Sequence, residues 1–255
     1  MDALGAGRFG KSLDRVRYWE VGANLVLDRD MNILYNILNK LSGKTGSMGG
    51  PDLTADREIE WTYVAARIGR YADSSSRVLD FGCGVGVLSF AAASLGARVL
   101  AIDLVPLQFH ISYENIEFRQ VDVMALDEKA ERFDLVLNCS TIEHVGLGGR
   151  YGAREAADGD IEAMRKMRRL LKPAGHMLLT LPIGRDCVIH PLHRIFGEER
   201  LPQILEGFDV VESIFWRKDA RNAWIRCSRE EAMREVGNER YYALGCMTLK
   251  NTGPA

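Results

Sequence analysis

An acidic residue followed by three glycines at alternating positions is the strongest chemical signal in this chain. Asp80, Gly82, Gly84 and Gly86 stand in the run 78–88, directly after an apolar segment that predicts a strand. Glycine is needed where a chain turns sharply and where backbone must approach a ligand that a Cβ would block. A helix that starts after such a turn points its N–H groups at the ligand. The spacing therefore predicts a turn that binds a nucleotide-type cofactor.

The glycine spacing separates two classes of cofactor. The dinucleotide fingerprint G-x-G-x-x-G/A needs a small residue at position 87, where this chain has Val87. A nicotinamide oxidoreductase is therefore disfavoured. The frame D-x-G-x-G-x-G resembles motif I of the class I S-adenosylmethionine (SAM) dependent methyltransferases. That resemblance implies a glycine turn under the methionine end of SAM, with Asp80 fixing that end through hydrogen bonds.

Two further acids follow strand-like segments, where this family holds the rest of the cofactor. Asp103 ends an apolar run, and its carboxylate could accept hydrogen bonds from both ribose hydroxyls. Dinucleotide-binding enzymes use an acid in the same way, so Asp103 alone does not discriminate. By resemblance, Asp122 accepts from the adenine amino group, with the Val123 N–H beside it. The predicted cofactor set is completed by two residues at strand ends, Leu104 and Cys139.

The segment after the predicted fourth strand carries the residues best suited to catalysis. Ligands of a doubly wound sheet bind at the carboxyl ends of the strands, so this segment should face the transferred methyl group. Glu143 and His144 are adjacent there, and a glycine-rich loop follows them. A hydroxyl is a poor nucleophile until its proton is removed, and imidazole, with a reference pKa near ~6.5, suits that task. We predict His144 as general base and Glu143 as its partner; alternatively, the pair only shapes the loop and contacts the cofactor.

Other polar residues near this rim are candidates for acceptor contacts. Arg150 and Tyr151 could bind or stack on an acceptor, although a solvated loop explains them equally well. His193 follows the predicted fifth strand and joins them as a substrate candidate. His190 is a candidate ligand of a substrate or metal. Alternatively, Pro191 opens a short helix and His190 is the cap of that helix.

Three stretches narrow the resemblance further. Ile-Glu-His-Val-Gly-Leu-Gly at 142–148, Arg-Tyr-Gly at 150–152 and His-Arg-Ile-Phe-Gly at 193–197 resemble a bacterial group of class I methyltransferases linked to surface glycans. Within that group they resemble the divalent-metal-dependent sugar O-methyltransferases of mycobacterial methylmannose polysaccharide synthesis. The resemblance implies a sugar acceptor and Mg²⁺, which would lower the pKa of a bound hydroxyl. Related enzymes carry Glu-x-x-Glu-His as metal ligands, and Ser140 replaces the first acid here. The implied metal ligands are Glu143, His144 and His190.

Composition excludes several other classes of protein. The 255 residues are 47% hydrophobic and 27% charged, as in an ordinary globular protein. A net charge of −2 gives no reason to expect a nucleic-acid partner. The five cysteines contain no Cys-x-x-Cys pair, so neither a disulfide framework nor a zinc site is indicated. We expect a cytoplasmic protein without a signal segment or membrane span, with a small-molecule or oligosaccharide acceptor as partner and a homodimer as an open option.

Alternating strand and helix patterns from Arg77 onward predict an α/β fold, a doubly wound, seven-stranded, mostly parallel sheet of the Rossmann-like methyltransferase type. The strands are predicted near 77–81, 98–102, 116–121, 133–138, 176–181, 209–215 and 243–250. Helices are predicted at 86–95, after a cap at Asp160, and at 198–206. The resemblance implies that the last strand runs antiparallel between the fifth and sixth.

The chain is predicted to divide into an N-terminal helical cap or lid segment, residues 1–76, and a SAM-binding core, residues 77–255, within one domain overall. The leader shows helix patterns at 31–38 and 54–71 around a Gly/Ser loop. The segment 216–242 is longer than a hairpin needs. We interpret it as an insertion on the substrate side, opened by a capping box at 228–231.

These observations together predict a SAM-dependent O-methyltransferase that acts on a hydroxyl of a sugar or polysaccharide precursor, with Mg²⁺ as an optional second cofactor. Two alternatives stay open. One is a methyltransferase of another small molecule, such as a quinone or a natural-product phenol. The other is a non-catalytic SAM-binding module, against which the presence of His144 counts.

Overall fold

One eight-stranded sheet organises the part of the chain that the computed structural model describes, residues 56–106, 113–130, 132–152 and 154–253. The strands of this sheet and of a small hairpin are β1 (Arg77–Phe81), β2 (Arg98–Asp103), β3 (Ile116–Gln120), β4 (Phe133–Cys139), β5 (Leu171–Ile183), β6 (Cys187–Ile189), β7 (His193–Ile195), β8 (Phe208–Lys218), β9 (Trp224–Cys227) and β10 (Ala243–Asn251). The helices are α1 (Asp56–Tyr71), α2 (Val87–Ala93), α3 (Gly159–Leu170), α4 (Arg200–Ile204) and α5 (Arg229–Arg234).

The strand order confirms the predicted doubly wound topology. The sheet runs β3-β2-β1-β4-β5-β10-β8-β9, and its first five strands pair in parallel. β10 lies antiparallel between β5 and β8, as the resemblance implies. The chain order reverses direction at β1 and β4, and the carboxyl ends of these strands form the crevice in which such sheets bind ligands.

The eighth strand is one more than the sequence predicts, and it comes from the segment 216–242. β8 continues to Lys218, past its predicted end, before the chain turns back into β9. Asp219 makes this turn, because its carboxylate accepts from the N–H groups of Arg221 and Ala223 at 2.8 and 3.0 Å. β9 then pairs antiparallel with β8 as the edge strand. The predicted capping box is present at the start of α5.

The core lies on both faces of the sheet, because side chains alternate along each strand. In β4, Leu135 and Leu137 face the side covered by α1 and α2, where they join Val64 and Ile68. Val136 faces the opposite side, among residues of α3 and β5. Burial on both faces explains why the central strands read as continuous apolar runs.

Helix α3 begins differently from the prediction. Its N-cap is Asp158, and Asp160 lies inside the helix rather than capping it. The Asp160 carboxylate is fully buried and pairs with Arg200 at 2.5 Å. β5 also starts earlier than predicted, at Leu171, where it pairs with Phe133 before the register shifts. Both differences come from contacts with distant segments, which local spacing does not encode.

Helix α1 confirms the predicted helix at 54–71 within two residues and packs against the sheet. Tyr63 Oη lies 2.9 Å from Thr248 Oγ1, and Arg67 forms a two-pronged ion pair with Glu212 at 2.6 and 2.9 Å. The predicted helix at 31–38 and the Gly/Ser loop lie outside the described residues, and the division at residue 76 stays a prediction. Among the described residues, no helix combines the length and apolar character required to cross a bilayer.

Candidate cofactor and acceptor site

The glycine turn between β1 and α2 leaves one side of its backbone open. Gly82, Gly84 and Gly86 have φ of +67°, +52° and +75°, the left-handed region that favours glycine. A Cβ on Gly82 would collide with the side chain of Thr141, whereas a Cβ on Gly84 would meet no protein atom within 4 Å. Gly82 therefore allows close packing, and Gly84 leaves the space into which a ligand can approach the backbone.

Asp80 lies beneath this turn as a buried carboxyl. It is 2% exposed, and its Oδ2 accepts from Ser89 Oγ at 2.5 Å. Burial raises the pKa of Asp80 to about 6; the hydrogen bond from Ser89 opposes this rise, and the charge of Asp103 adds to it. A cationic group bound beside Asp80 would stabilise its charged form, which suits the amino group at the methionine end of SAM.

Asp103 ends β2 directly beside the glycine turn. Its Oδ2 accepts from the Gly84 N–H at 2.9 Å, and its Oδ1 accepts from the Val105 N–H at 3.1 Å. Each carboxylate oxygen can accept a second hydrogen bond, so the side chain is fixed in place and still suited to a vicinal diol. The next residue, Leu104, uses its carbonyl to accept from Gln120 Nε2 at 3.0 Å.

The other predicted cofactor residues lie at the same edge of the sheet. Asp122 caps the 3₁₀ turn Val123–Ala125, accepting from the Met124 N–H at 2.9 Å, and Val123 is buried. Cys139 is buried at the end of β4, and burial raises the pKa of its thiol well above the usual range. The arrangement fits SAM, with an open cradle at Gly84 and a carboxylate for each polar end. The individual cofactor contacts stay predictions.

His144 lies in the 3₁₀ turn Ile142–His144, just after β4. Its Nδ1 is 2.6 Å from the carbonyl oxygen of Leu192. A carbonyl can only accept, so Nδ1 carries the proton and Nε2 is the nitrogen with the lone pair in the neutral ring. Nε2 lies 3.7 Å from Oε1 of Glu143, which is 2% exposed. This geometry suits an imidazole that takes up a proton at Nε2.

A buried carboxylate on α1, which the sequence analysis did not select, reaches the same edge. Glu60 is fully buried, and its Oε1 accepts from Ser140 Oγ and, at 3.1 Å, from Thr180 Oγ1. These partners follow β4 and lie within β5, so Glu60 faces the end of both strands. Glu60 falls at helical spacing from Val64 and Ile68, on the buried stripe of α1. An acid on an apolar helix face was the signal that could have identified it.

Arg57, one turn earlier on α1, adds a positive charge to this group. Its Nη1 lies 3.9 Å from Oε2 of Glu60. Partial burial alone would lower the pKa of Arg57, but the acidic groups of Glu60, Cys139, Glu143 and Tyr242 outweigh it and raise that pKa above its ordinary value. The first turn of α1 therefore lies close to the segment that carries Glu143, at the carboxyl end of β4.

The remaining predicted residues divide between the rim and the surface. His193 is buried in β7, with its ring edge-to-face against Tyr242 at 5.2 Å between centroids. Tyr151 makes a similar contact with His144, also at 5.2 Å. The side chain of Arg150 lies outside what the structure describes. His190 is exposed, with Nε2 3.8 Å from Oε1 of Glu155.

The alternative role of His190 as a helix cap is wrong, because residues 190–192 form the turn between β6 and β7. The predicted metal ligands do not converge either. His144 uses Nδ1 to bind the Leu192 carbonyl, while His190 faces Glu155. Within the described ranges, no group of three or more His, Cys, Asp or Glu side chains could hold a metal ion. The described residues therefore do not assemble the set of metal ligands that the resemblance implies.

The sequence is similar to those of several known proteins. The sequence model of a family described as "Caenorhabditis protein of unknown function, DUF268" matches residues 85–244. The ubiquinone biosynthesis O-methyltransferase of Xanthomonas campestris is 33% identical over 196 residues, 73% of this chain and 75% of that enzyme. The enzyme of the same name from Cereibacter sphaeroides is 37% identical over 111 residues, and the match spans only 40% of its length.

Solved structures show the same fold. N-methyltransferase NodS from Bradyrhizobium japonicum, in complex with S-adenosylhomocysteine (SAH), superposes with a TM-score of 0.56 and 17% identity. The superposition covers 86% of this chain and all of that one. At this identity the likeness concerns the fold alone.

Proposed function

Because the chain belongs to the class I SAM-dependent methyltransferases and to the DUF268 family, we propose that it transfers a methyl group from SAM to a hydroxyl of a polar acceptor. The orientation of His144 is the observation that carries this proposal. Its Nδ1 proton is held by the Leu192 carbonyl, which makes Nε2 the base. Gly82 packs against Thr141, so the cofactor turn and the turn that carries His144 are neighbours.

The chain's own residues would act on the acceptor's proton. SAM, when bound, supplies a methyl group on a sulfonium sulfur, and this sulfur keeps the bonding electron pair when the methyl group is transferred. As the acceptor oxygen bonds to that carbon, His144 Nε2 takes up the hydroxyl proton. The imidazolium formed lies 3.7 Å from the Glu143 carboxylate, which stabilises the new charge. The Leu192 carbonyl holds the ring in this orientation throughout.

A sugar or a related hydroxyl-rich molecule is the acceptor class that the rim supports best. Glu60, Glu143 and His193 are buried polar side chains at or near the carboxyl edge, and Arg57 and Tyr242 lie beside them. Hydroxyl groups can donate hydrogen bonds to carboxylates and accept them from a guanidinium, so a polar acceptor is compatible with the side chains at this edge. Mg²⁺ has no part in the proposal, because the described residues do not assemble the implied set of metal ligands.

A phenolic hydroxyl of a quinone precursor is the second candidate. It is favoured by the name of the Xanthomonas campestris relative, at 33% identity over most of this chain. The chemistry at His144 would be the same, since a phenol also loses its proton as the methyl group arrives. The two candidates differ in the acceptor, and measuring turnover on each class of acceptor distinguishes them.

Turnover by His144→Asn tests the proposal. Asn keeps a side-chain N–H near the position of Nδ1, so it can still donate to Leu192, but it has no base. We expect kcat to fall about 10²–10⁴-fold, while the Kd for SAM stays within about twofold. The control is His176→Asn. His176 lies in the first half of β5, paired with Leu135 and stacked on Tyr71, away from the carboxyl ends of the strands. This variant should keep wild-type turnover.

The assay follows SAH formation by mass spectrometry over a panel of sugars, nucleotide sugars, phenols and quinone precursors, with Mg²⁺ or with EDTA. Turnover on sugars that persists in EDTA supports the first candidate. Turnover on phenols alone would instead support the second candidate, a phenolic acceptor. Wild-type turnover by His144→Asn would remove the base role, and SAM binding without turnover on any acceptor would favour a binding module.

A further inference from the structure

The β6–β7 hairpin contacts the turn that carries His144 at several points. The carbonyl oxygen of Leu192, in the hairpin's connecting turn, accepts a hydrogen bond from His144 Nδ1 at 2.6 Å. Pro191 lies against Gly149, where an added Cβ would come within 2.6 Å of the Pro191 Cβ. On β7, Arg194 donates from Nη1 to the carbonyl of Val145. Val145 directly follows His144, so the hairpin contacts the ring and the backbone beside it.

Arg194 makes its contacts from a buried position. It is 4% exposed, and its Nη2 lies 3.3 Å from the carbonyl oxygens of both Ala156 and Ala157. Its Nε lies 3.8 Å from Asp160 Oδ2. A buried guanidinium is tolerated only where its donors are met and its charge is balanced. One side chain thereby joins both ends of the loop that starts at Val145 and returns at Ala156.

A second arginine shares the same acid without reaching the turn. Arg200 binds Asp160 through Nη2 and Nε at 2.5 and 3.1 Å, and Asp158 through Nη1 at 3.0 Å. Its Nη2 also donates to the Ala157 carbonyl at 2.9 Å. These partners all lie at the start of α3. Asp160 therefore keeps a bidentate partner when Arg194 is replaced, and the two arginines form a matched pair.

We infer that Arg194 is a positioning residue for His144. By fixing the Val145 carbonyl to the strand that follows Leu192, it sets the register between the turn and the hairpin. That register places the Leu192 carbonyl opposite Nδ1 and so decides which ring nitrogen carries the lone pair. The effect of Arg194 on turnover rests on the proposed function, whereas its effect on the tautomer does not.

The test compares Arg194→Met with Arg200→Met in the full chain. The ring ¹⁵N shifts of His144, assigned by their loss in His144→Asn, report the tautomer. We expect wild type and Arg200→Met to show a single Nδ1–H form, and Arg194→Met to show a mixture. In Arg194→Met, kcat should fall tenfold or more, while KM and the Kd for SAM stay within about threefold. Arg194→Lys keeps the positive charge beside Asp160 but cannot donate to all three carbonyls, so its kcat should be lower than that of the wild type by threefold or more.

Three results would overturn the inference. The first is a folded Arg194→Met or Arg194→Lys variant with the wild-type tautomer and kcat. The second is an equal loss of kcat in both Met variants, in proportion to their loss of thermal stability. The third is a tautomer mixture in the wild type. If His144→Asn were fully active, the proposed function would fail, and the ¹⁵N shifts would still decide whether Arg194 positions the ring.

Discussion

Replacing Asp80 with Asn should stabilise the cofactor-free protein at neutral pH. The carboxyl is 2% exposed, and burial raises its pKa from 3.8 to about 6. At about 1.36 kcal/mol for each pKa unit, keeping Asp80 charged above pH 6 costs the folded state about 3 kcal/mol relative to the unfolded chain. Asn is neutral and retains an oxygen to accept from Ser89, so it removes this cost while keeping the hydrogen bond.

The pH dependence gives the sign of the effect. Between about pH 3.8 and 6 the folded protein binds the Asp80 proton more tightly than the unfolded chain does, so the wild type loses stability as the pH rises through this window. Asp80→Asn lacks this titration. Its advantage should be about 3 kcal/mol at pH 7.5 and should nearly vanish at pH 4. For a domain of this size that corresponds to a rise in Tm of about 6–12 °C.

Thermal and urea unfolding of SAM-free protein at both pH values measures the difference. Asp103→Asn is the control, because that partly exposed carboxylate accepts two backbone hydrogen bonds, and Asn should weaken one of them. SAM affinity of Asp80→Asn should fall tenfold or more, since the charge that suits the amino group is gone. An Asp80→Asn advantage of equal size at pH 4 and pH 7.5, or a loss of stability at pH 7.5, would refute the reasoning.

Three further substitutions probe the glycine turn and the segment 216–242. Gly84→Ala should weaken SAM binding tenfold or more, as measured by calorimetry. It should lower the free energy of unfolding by only about 1–2 kcal/mol, the cost of a left-handed backbone conformation for alanine, because the added Cβ meets no protein atom within 4 Å. Gly82→Ala also collides with Thr141 and should destabilise the fold more; equal losses would contradict this account. Ser228→Ala breaks the capping box with Glu231 and should cost about 1 kcal/mol without changing turnover; an unmoved Tm would count against it.

Most of the sheet could be predicted because its signals are local. β1 has the predicted bounds, since an apolar run meets a glycine turn there. β9 was missed because a short edge strand of partly exposed residues carries no clear alternation, and its pairing comes from the extension of β8. Aspartate is a residue type that often caps helices, which is why Asp160 was predicted as a cap. Its carboxylate instead forms a buried ion pair with Arg200, forty positions along the chain.

The positions of three predicted cofactor residues at one edge of the sheet could be read from the sequence alone. Asp80, Gly84 and Asp103 could be selected because parallel strands bring their carboxyl ends to one edge, so residues that follow successive strands must meet there. The contacts around His144 and Glu60 could not be read from the sequence and came from the folded structure. The Leu192 carbonyl decides which ring nitrogen of His144 carries the proton, and the Glu60 carboxylate accepts from Ser140. These contacts join segments far apart in the chain, and packing sets their register.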